Sequence, residues 1–152
     1  MTKQFTAALV LELAQKGRLN LDATLSVYLP EYRRDVADAV TIRQLLGHSA
    51  GVPDLVHRSD IMQIVKEPAT PQEVISKYCS NALEFTPSTQ FKYSNCGYLI
   101  LGALYERVTG ETYADGLRRL TARAGLTDRV SADRARLCLG WPQRTSSKTV
   151  SK

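Results

Sequence analysis

Along this chain apolar residues recur three and four positions apart far more often than they alternate, which is the spacing of helix faces and not of strands. Near the start, Phe5, Ala8, Leu9, Leu11, Leu13 and Ala14 leave little polar surface, and Gly17 stands where a C-terminal glycine cap belongs. A largely buried helix is predicted over Thr2 to Lys16. A segment from Leu19 to Leu29 follows and is closed by Pro30. Thr41-Ile42-Arg43-Gln44 has the form of a capping box ahead of Leu45 and Leu46, which predicts a short helix ending near Gly47. Ser49 to Pro53 is rich in turn formers. Thr70, Pro71 and Glu73 combine a capping hydroxyl, a proline at the first helical position and a reciprocal carboxylate. This is the strongest helix start in the chain, and Val74, Ile75 and Tyr78 form its apolar face. Pro87 to Phe91 reads as a loop. Tyr98, Leu101, Leu104, Tyr105 and Val108 then recur at helical spacing up to Gly110, so a core helix is predicted over Asn95 to Thr109. Another follows from about Tyr113 to Ala122, built on Leu117 and Leu120. No alternating run is long enough to make a convincing strand, and the expected class is mainly α.

Composition narrows what such a helical chain can do. With 152 residues and 43% hydrophobic content it can bury one core, expected over residues 1–135, with a basic, disordered tail over 136–152. The best apolar stretch, Phe5 to Leu13, is short and carries Glu12, so no membrane span is expected. The start has no charged region, apolar run and cleavage site in sequence; as it stands the chain would stay in the cytoplasm, and a true start further upstream would make it periplasmic or extracellular. The net charge of +5 is uneven, since residues 116–152 hold 9 Lys/Arg against 2 Asp/Glu. A basic tail can attract nucleic acid or an anionic membrane. This one has a single aromatic residue, Trp141, and no nucleic-acid module, so it reads as a solvated tail and no nucleic-acid partner is expected. Cys79, Cys96 and Cys138 are odd in number, widely spaced and without a CxxC. They argue against a metal site and a disulfide framework, leaving buried or free thiols, and no metal or cofactor is expected.

Four segments carry candidate chemistry. Met1-Thr2-Lys3-Gln4-Phe5-Thr6-Ala7-Ala8 opens the first helix; Leu21-Asp22 and Tyr28-Leu29-Pro30 follow it; Leu45-Leu46-Gly47-His48-Ser49-Ala50-Gly51-Val52-Pro53 comes next; and Tyr93-Ser94-Asn95-Cys96-Gly97-Tyr98, preceded by Pro87 and Phe91, comes last. Each is weak in isolation. A lone lysine is usually a solvated charge, a lone Tyr-x-Asn is seldom catalytic, and His48 reads more readily as a structural hydrogen-bonder than as a base. In this order and spacing, with Leu126-Thr127-Asp128 after them, they resemble the serine hydrolases of the β-lactamase and penicillin-binding-protein type, in the branch of class C β-lactamases, D,D-peptidases and esterases.

The resemblance implies a fold and a site. The fold would be the helical half of the family's α/β architecture with most of the sheet missing, truncated at both ends. Lys3 would be the lysine of Ser-x-x-Lys, with the serine falling one position before Met1. That spacing sets hydroxyl and amine on one helix face, so the amine can take the proton or hold the charge of the adjacent base. Tyr93 would assist proton transfer, which for a phenol of ordinary pKa about 10 calls for a nearby cation. Asn95 would bond the lysine and the substrate's amide. The Lys3 amine would then lie within about 6 Å of the Tyr93 hydroxyl or the Asn95 amide, the range over which a charge strongly perturbs a neighbour. The third family element, Lys-Thr-Gly on a strand, is imitated poorly by Lys148-Thr149-Val150, which lacks the glycine.

Two readings of function follow. In the first, the chain is a fragment of a hydrolase that opens β-lactams, D-Ala-D-Ala peptides or esters through an acyl-enzyme, inactive as it stands for want of the serine. In the second, it is a non-catalytic helical interaction module or the product of a damaged gene. It would then associate with itself through the Phe5 to Leu13 face that the sheet covers in relatives.

Overall fold

The computed structural model describes residues 3–55 and 70–126. Among the described residues its helices are α1 (Lys3–Gln15), α2 (Arg34–Ala37), α3 (Ile42–Leu46), α4 (Pro71–Tyr78), α5 (Asn95–Thr109) and α6 (Tyr113–Arg123), with a 3-10 turn over Leu25–Val27. Among the described residues β pairing is limited to one isolated antiparallel bridge between Thr24 and Thr41. The class is therefore mainly α, as the apolar spacing predicts.

The predicted helix ends are built as their side chains dictate. Thr41 accepts from the Gln44 amide while the Gln44 side chain accepts from the Thr41 N–H, and Thr70 and Glu73 repeat the arrangement at α4. Gly17 adopts φ +68°, and the bonds Gly17 N–H to Ala14 O and Arg18 N–H to Leu13 O close α1 in a Schellman motif. Gly110, at φ +75°, ends α5. The Leu19 to Leu29 segment has only its short 3-10 turn. There Asn20 Oδ1 accepts the Asp22 N–H and Tyr28 Oη accepts the Asn20 N–H, local bonds that offer the backbone an alternative to a helix. The four-residue α2 has no counterpart in the sequence reading.

Helix α5 is the axis of the fold. Every residue from 96 to 105 is buried, the pattern of a helix surrounded by others, and α1, α3, α4 and α6 all pack on it. Against α5 and α6, α1 buries Leu9, Val10, Leu13 and Thr6, whose hydroxyl shares a 2.8 Å hydrogen bond with that of Tyr113. The expectation of a largely buried α1 needs correction, because the helix is covered on one side. Leu11 is 49% exposed, and Phe5 and Ala8 are only partly buried.

The cysteines also depart from expectation. Cys79, just after α4, and Cys96, in the first turn of α5, form a disulfide with their Cα atoms 5.4 Å apart, so the reading of free thiols is overturned for this pair. The reason is tertiary: the end of α4 docks on the start of α5 and aligns two cysteines 17 residues apart. In the chain-entropy model, closing a loop of that length stabilises the fold by about 3 kcal/mol. Cys138, Trp141, Thr127-Asp128, Lys148-Thr149-Val150 and the expected tail lie outside the described residues.

Candidate active site

Two loops form the floor on which the site stands. In the first, His48 adopts φ 55° and Gly51 φ 77°, turning the chain sharply after α3. A Cβ at Gly51 would lie 2.3 Å from the Phe85 carbonyl oxygen, so only glycine permits this approach. The second loop runs beside the first through the bonds Glu84 N–H to Gly51 O, Ser88 N–H to Ser49 O and Lys92 N–H to His48 O, at 2.8, 2.8 and 2.9 Å. It delivers Tyr93 and then Ser94, whose hydroxyl caps α5 by accepting the Gly97 N–H.

His48 fixes the junction. Its Nδ1 accepts the Ser94 N–H at 3.2 Å, which assigns the ring proton of the neutral imidazole to Nε2. The ring lies 4.7 Å from that of Tyr93 and 5.0 Å from that of Tyr98, centroid to centroid. Burial lowers the His48 pKa, the Lys3 cation lowers it further, and the Asp54 carboxylate opposes both. The neutral, accepting form that holds Ser94 is thereby favoured.

Lys3, Tyr93 and Asn95 are brought together. The first turn of α1 places Lys3 Nζ 2.7 Å from Asn95 Oδ1, across 92 positions of sequence. The same ammonium sits 4.9 Å from the Tyr93 ring centroid and 5.4 Å from that of Tyr98, over their faces. Tyr93 is half exposed, so its ring is open to solvent beside the lysine.

Two further residues complete the cluster without having been singled out for it. Asp54 binds Asn95 twice: Oδ1 accepts the backbone N–H at 3.2 Å and Oδ2 accepts the side-chain amide at 2.9 Å. Its position directly after Pro53, at the end of the matching segment, was the one available signal. Tyr98 reads from its spacing as a core residue, and it is one, yet its hydroxyl donates to Leu46 O at 3.0 Å while its ring faces Lys3. Burial, with the neighbouring Tyr93, raises the Tyr98 pKa and keeps that donor protonated. No group of three or more His, Cys, Asp or Glu residues among those described is arranged to hold a metal ion. The chemistry available is that of an ammonium held by a neutral amide oxygen beside a solvent-facing phenol.

A mainly α bundle with a lysine at the start of one helix facing a Tyr-x-Asn turn at the start of another is the helical half of the β-lactamase/transpeptidase fold. The family model for Beta-lactamase matches residues 1–138, and the chain belongs to that family. Among solved structures it is similar to D-amino acid amidase from Ochrobactrum anthropi, with TM-score 0.70, 29% identity, and 84% of this chain and 35% of that one covered. A penicillin-binding protein from Bacillus halodurans gives TM-score 0.69 at 28% identity, covering 81% of this chain and 39% of that one. Among curated proteins, Protein flp of Staphylococcus aureus is 31% identical over 115 residues, 74% of this chain and 23% of its own length. The chain thus spans about a quarter of the curated relative and just over a third of these solved structures. No helix of the described residues is long and apolar enough to cross a membrane.

Proposed function

We propose that Lys3, Tyr93 and Asn95 are the share of a serine acyl-transfer site carried by the helical half of the fold. Such a site opens β-lactams, D-Ala-D-Ala peptides, small esters or D-amino acid amides through an acyl-enzyme. The carrying observation is the 2.7 Å contact between Lys3 Nζ and Asn95 Oδ1 beside the Tyr93 ring. Burial does not draw an ammonium, an amide and a phenol together, since each costs several kcal/mol to desolvate unpaired. A site that moves a proton between a serine hydroxyl and a leaving group requires them together. Lys3 receives or balances the serine proton, the Tyr93 phenol passes it on, and Asn95 orients the lysine.

Residues 1–152 hold Lys3 but no residue three positions ahead of it, where the serine of the motif belongs. This polypeptide by itself is accordingly expected to take no label from fluorescent penicillin or a fluorophosphonate. A longer gene product with a serine in that register, and with the rest of the fold, is expected to be labelled stoichiometrically. Labelling of the 152-residue chain, or an unlabelled longer product that is folded, would overturn the proposal. The Cys79–Cys96 disulfide supports maturation in an oxidising compartment, and so the periplasmic or extracellular reading over the cytoplasmic one.

The half-exposed Leu11, flanked by partly buried Phe5 and Ala8, favours a second reading in which the 152-residue chain self-associates through this face. A strictly monomeric species in analytical ultracentrifugation at 100 µM, about the concentration at which weak pairing registers, would remove it.

A further inference from the structure

We propose that Asp54 is the positioning residue of this site: its carboxylate clamps Asn95 in the one amide orientation that presents Oδ1, and not Nδ2, to Lys3. The inference rests on Lys3 and Asn95 belonging to the site proposed above.

An asparagine side chain has an accepting end and a donating end of nearly the same shape, and a half-turn about its last torsion exchanges them. With Nδ2 turned toward Lys3, donor would face donor and the ammonium would lose its acceptor. Lys3, at the end of a flexible side chain, opposes that reversal with one bond only. Asp54 opposes it independently, because a carboxylate only accepts. Its Oδ1 takes the Asn95 backbone N–H, which cannot turn, and its Oδ2 takes Nδ2, at 3.2 and 2.9 Å. Two bonds from one carboxylate to one residue fix both where Asn95 sits and which way its amide points, and Oδ1 is left aimed at Lys3 Nζ at 2.7 Å.

The loop that carries Asp54 is itself held. Val52 and Leu55 on either side of it are buried, Gly51 is pressed against the Phe85 backbone, and the Ser94 hydroxyl donates to Pro53 O at 3.4 Å. The carboxylate also lies at the N-terminus of the 15-residue α5, where exposed N–H groups favour a negative charge. In these two contacts Asp54 meets Asn95 and not Lys3, so it acts on the lysine through Asn95.

An exchange of chemistry between the two positions separates this role from simple support of the loop. In Asp54→Asn, the new amide must give its oxygen to the fixed backbone N–H, which leaves its NH2 facing Asn95 and forces the Asn95 amide to reverse. Lys3 then loses its acceptor. In the double variant Asp54→Asn/Asn95→Asp every donor again meets an acceptor, and a carboxylate oxygen faces Lys3. The readout is competitive acetylation of the 152-residue chain at fixed pH, with Lys3 compared with Lys16, Lys77 and Lys92 by mass spectrometry. The groups around Lys3, namely His48, Tyr93, Tyr98 and Asn95, are otherwise unchanged in Asp54→Asn. Loss of a charge-assisted bond at a partly exposed site is expected to speed Lys3 acetylation about threefold to tenfold relative to the reference lysines. The double variant, which sets a carboxylate against Lys3, is expected to bring acetylation back to the parent rate or below it.

Unchanged Lys3 reactivity in Asp54→Asn, or no recovery in the double variant, would overturn the clamp. Should Asp54→Asn unfold, the parent chain decides by NMR. The Asn95 side-chain N–H proton that meets Asp54 is expected to exchange with solvent at least about tenfold more slowly than those of the exposed Asn20 amide, and exchange at the Asn20 rate refutes the proposal. Neither readout needs turnover. Failure of penicillin labelling with an intact clamp would sink the proposed function alone, whereas labelling with a mobile Asn95 amide would sink the clamp alone.

Discussion

The two ends of α1 are both tied to the bundle by charged side chains, and by opposite means. At the C-terminal end Glu12 is met by three cations: Lys16 at 2.6 Å, Arg123 at 2.7 Å and Arg119 at 3.2 Å. Arg119 continues to Glu111 at 3.1 Å and to the Tyr105 hydroxyl at 3.0 Å, and that hydroxyl donates to Glu111. The Lys16 bond, helped by Arg123 and Arg119 against the cost of burial, holds the Glu12 carboxyl down at about 2. Burial and the Glu111 carboxylate push Tyr105 up to about 12. Here every charge has a counter-charge. At the N-terminal end, Lys3 meets a neutral amide oxygen and two ring faces. An ammonium held that way is fixed in place without being neutralised, and its charge stays available to a reacting group. One end joins helices through paired charges, and the other leaves its charge uncompensated.

The largest expected effect tests the N-terminal end. In a polypeptide extended to carry the serine and the rest of the fold, Lys3→Met is expected to slow acylation by about 10²–10⁴-fold, the usual worth of a proton-transfer group, and to change unfolding free energy by less than about 1 kcal/mol. Stopped-flow labelling and urea titration measure the two. A rate within about threefold of the parent would place Lys3 with the structural cations of the other end.

Next in size is a disturbance at the C-terminal end. Gly116 of α6 faces Tyr105, and a Cβ there would fall 2.2 Å from its hydroxyl oxygen. The tyrosine is 1% exposed and bonded to Glu111 and Arg119, so it cannot swing aside cheaply. Gly116→Ala is expected to cost about 1–3 kcal/mol by overpacking, read by urea unfolding, while the Lys3–Asn95 contact keeps its chemical shifts. A neutral or stabilising result would show that the Arg119 network yields.

The smallest effect concerns the ion network itself. A carboxyl depressed in the fold contributes stability above its unfolded pKa of about 4.5 and loses it as pH falls toward the folded value of about 2. Because Lys16, Arg119 and Arg123 are themselves substantially exposed, solvent screening reduces the worth of Glu12 to about 1–2 kcal/mol at pH 7. Glu12→Gln should therefore narrow toward the parent in stability between about pH 4.5 and pH 2. A gap that stays constant across that window would deny the network its electrostatic role.

Local rules account for what was legible along the chain. Thr41, Thr70, Gly17 and Gly110 each sit where a helix end leaves backbone groups unpaired, and the groups that satisfy them lie within a few residues, so short segments determine the caps and with them the helix bounds. The Asn95–Thr109 helix declares its burial by being apolar all round. Lys3, Tyr93 and Asn95 could be nominated because their order and spacing match a known pattern. What faces what across long separations was decided only by packing. The Cys79–Cys96 bridge, the half-covered α1 and the Asp54 clamp on Asn95 each join residues from different elements. No periodicity encodes such a meeting, because its partner is chosen by how α1, α3 and α4 dock on α5, a consequence of the whole buried surface and not of any one segment.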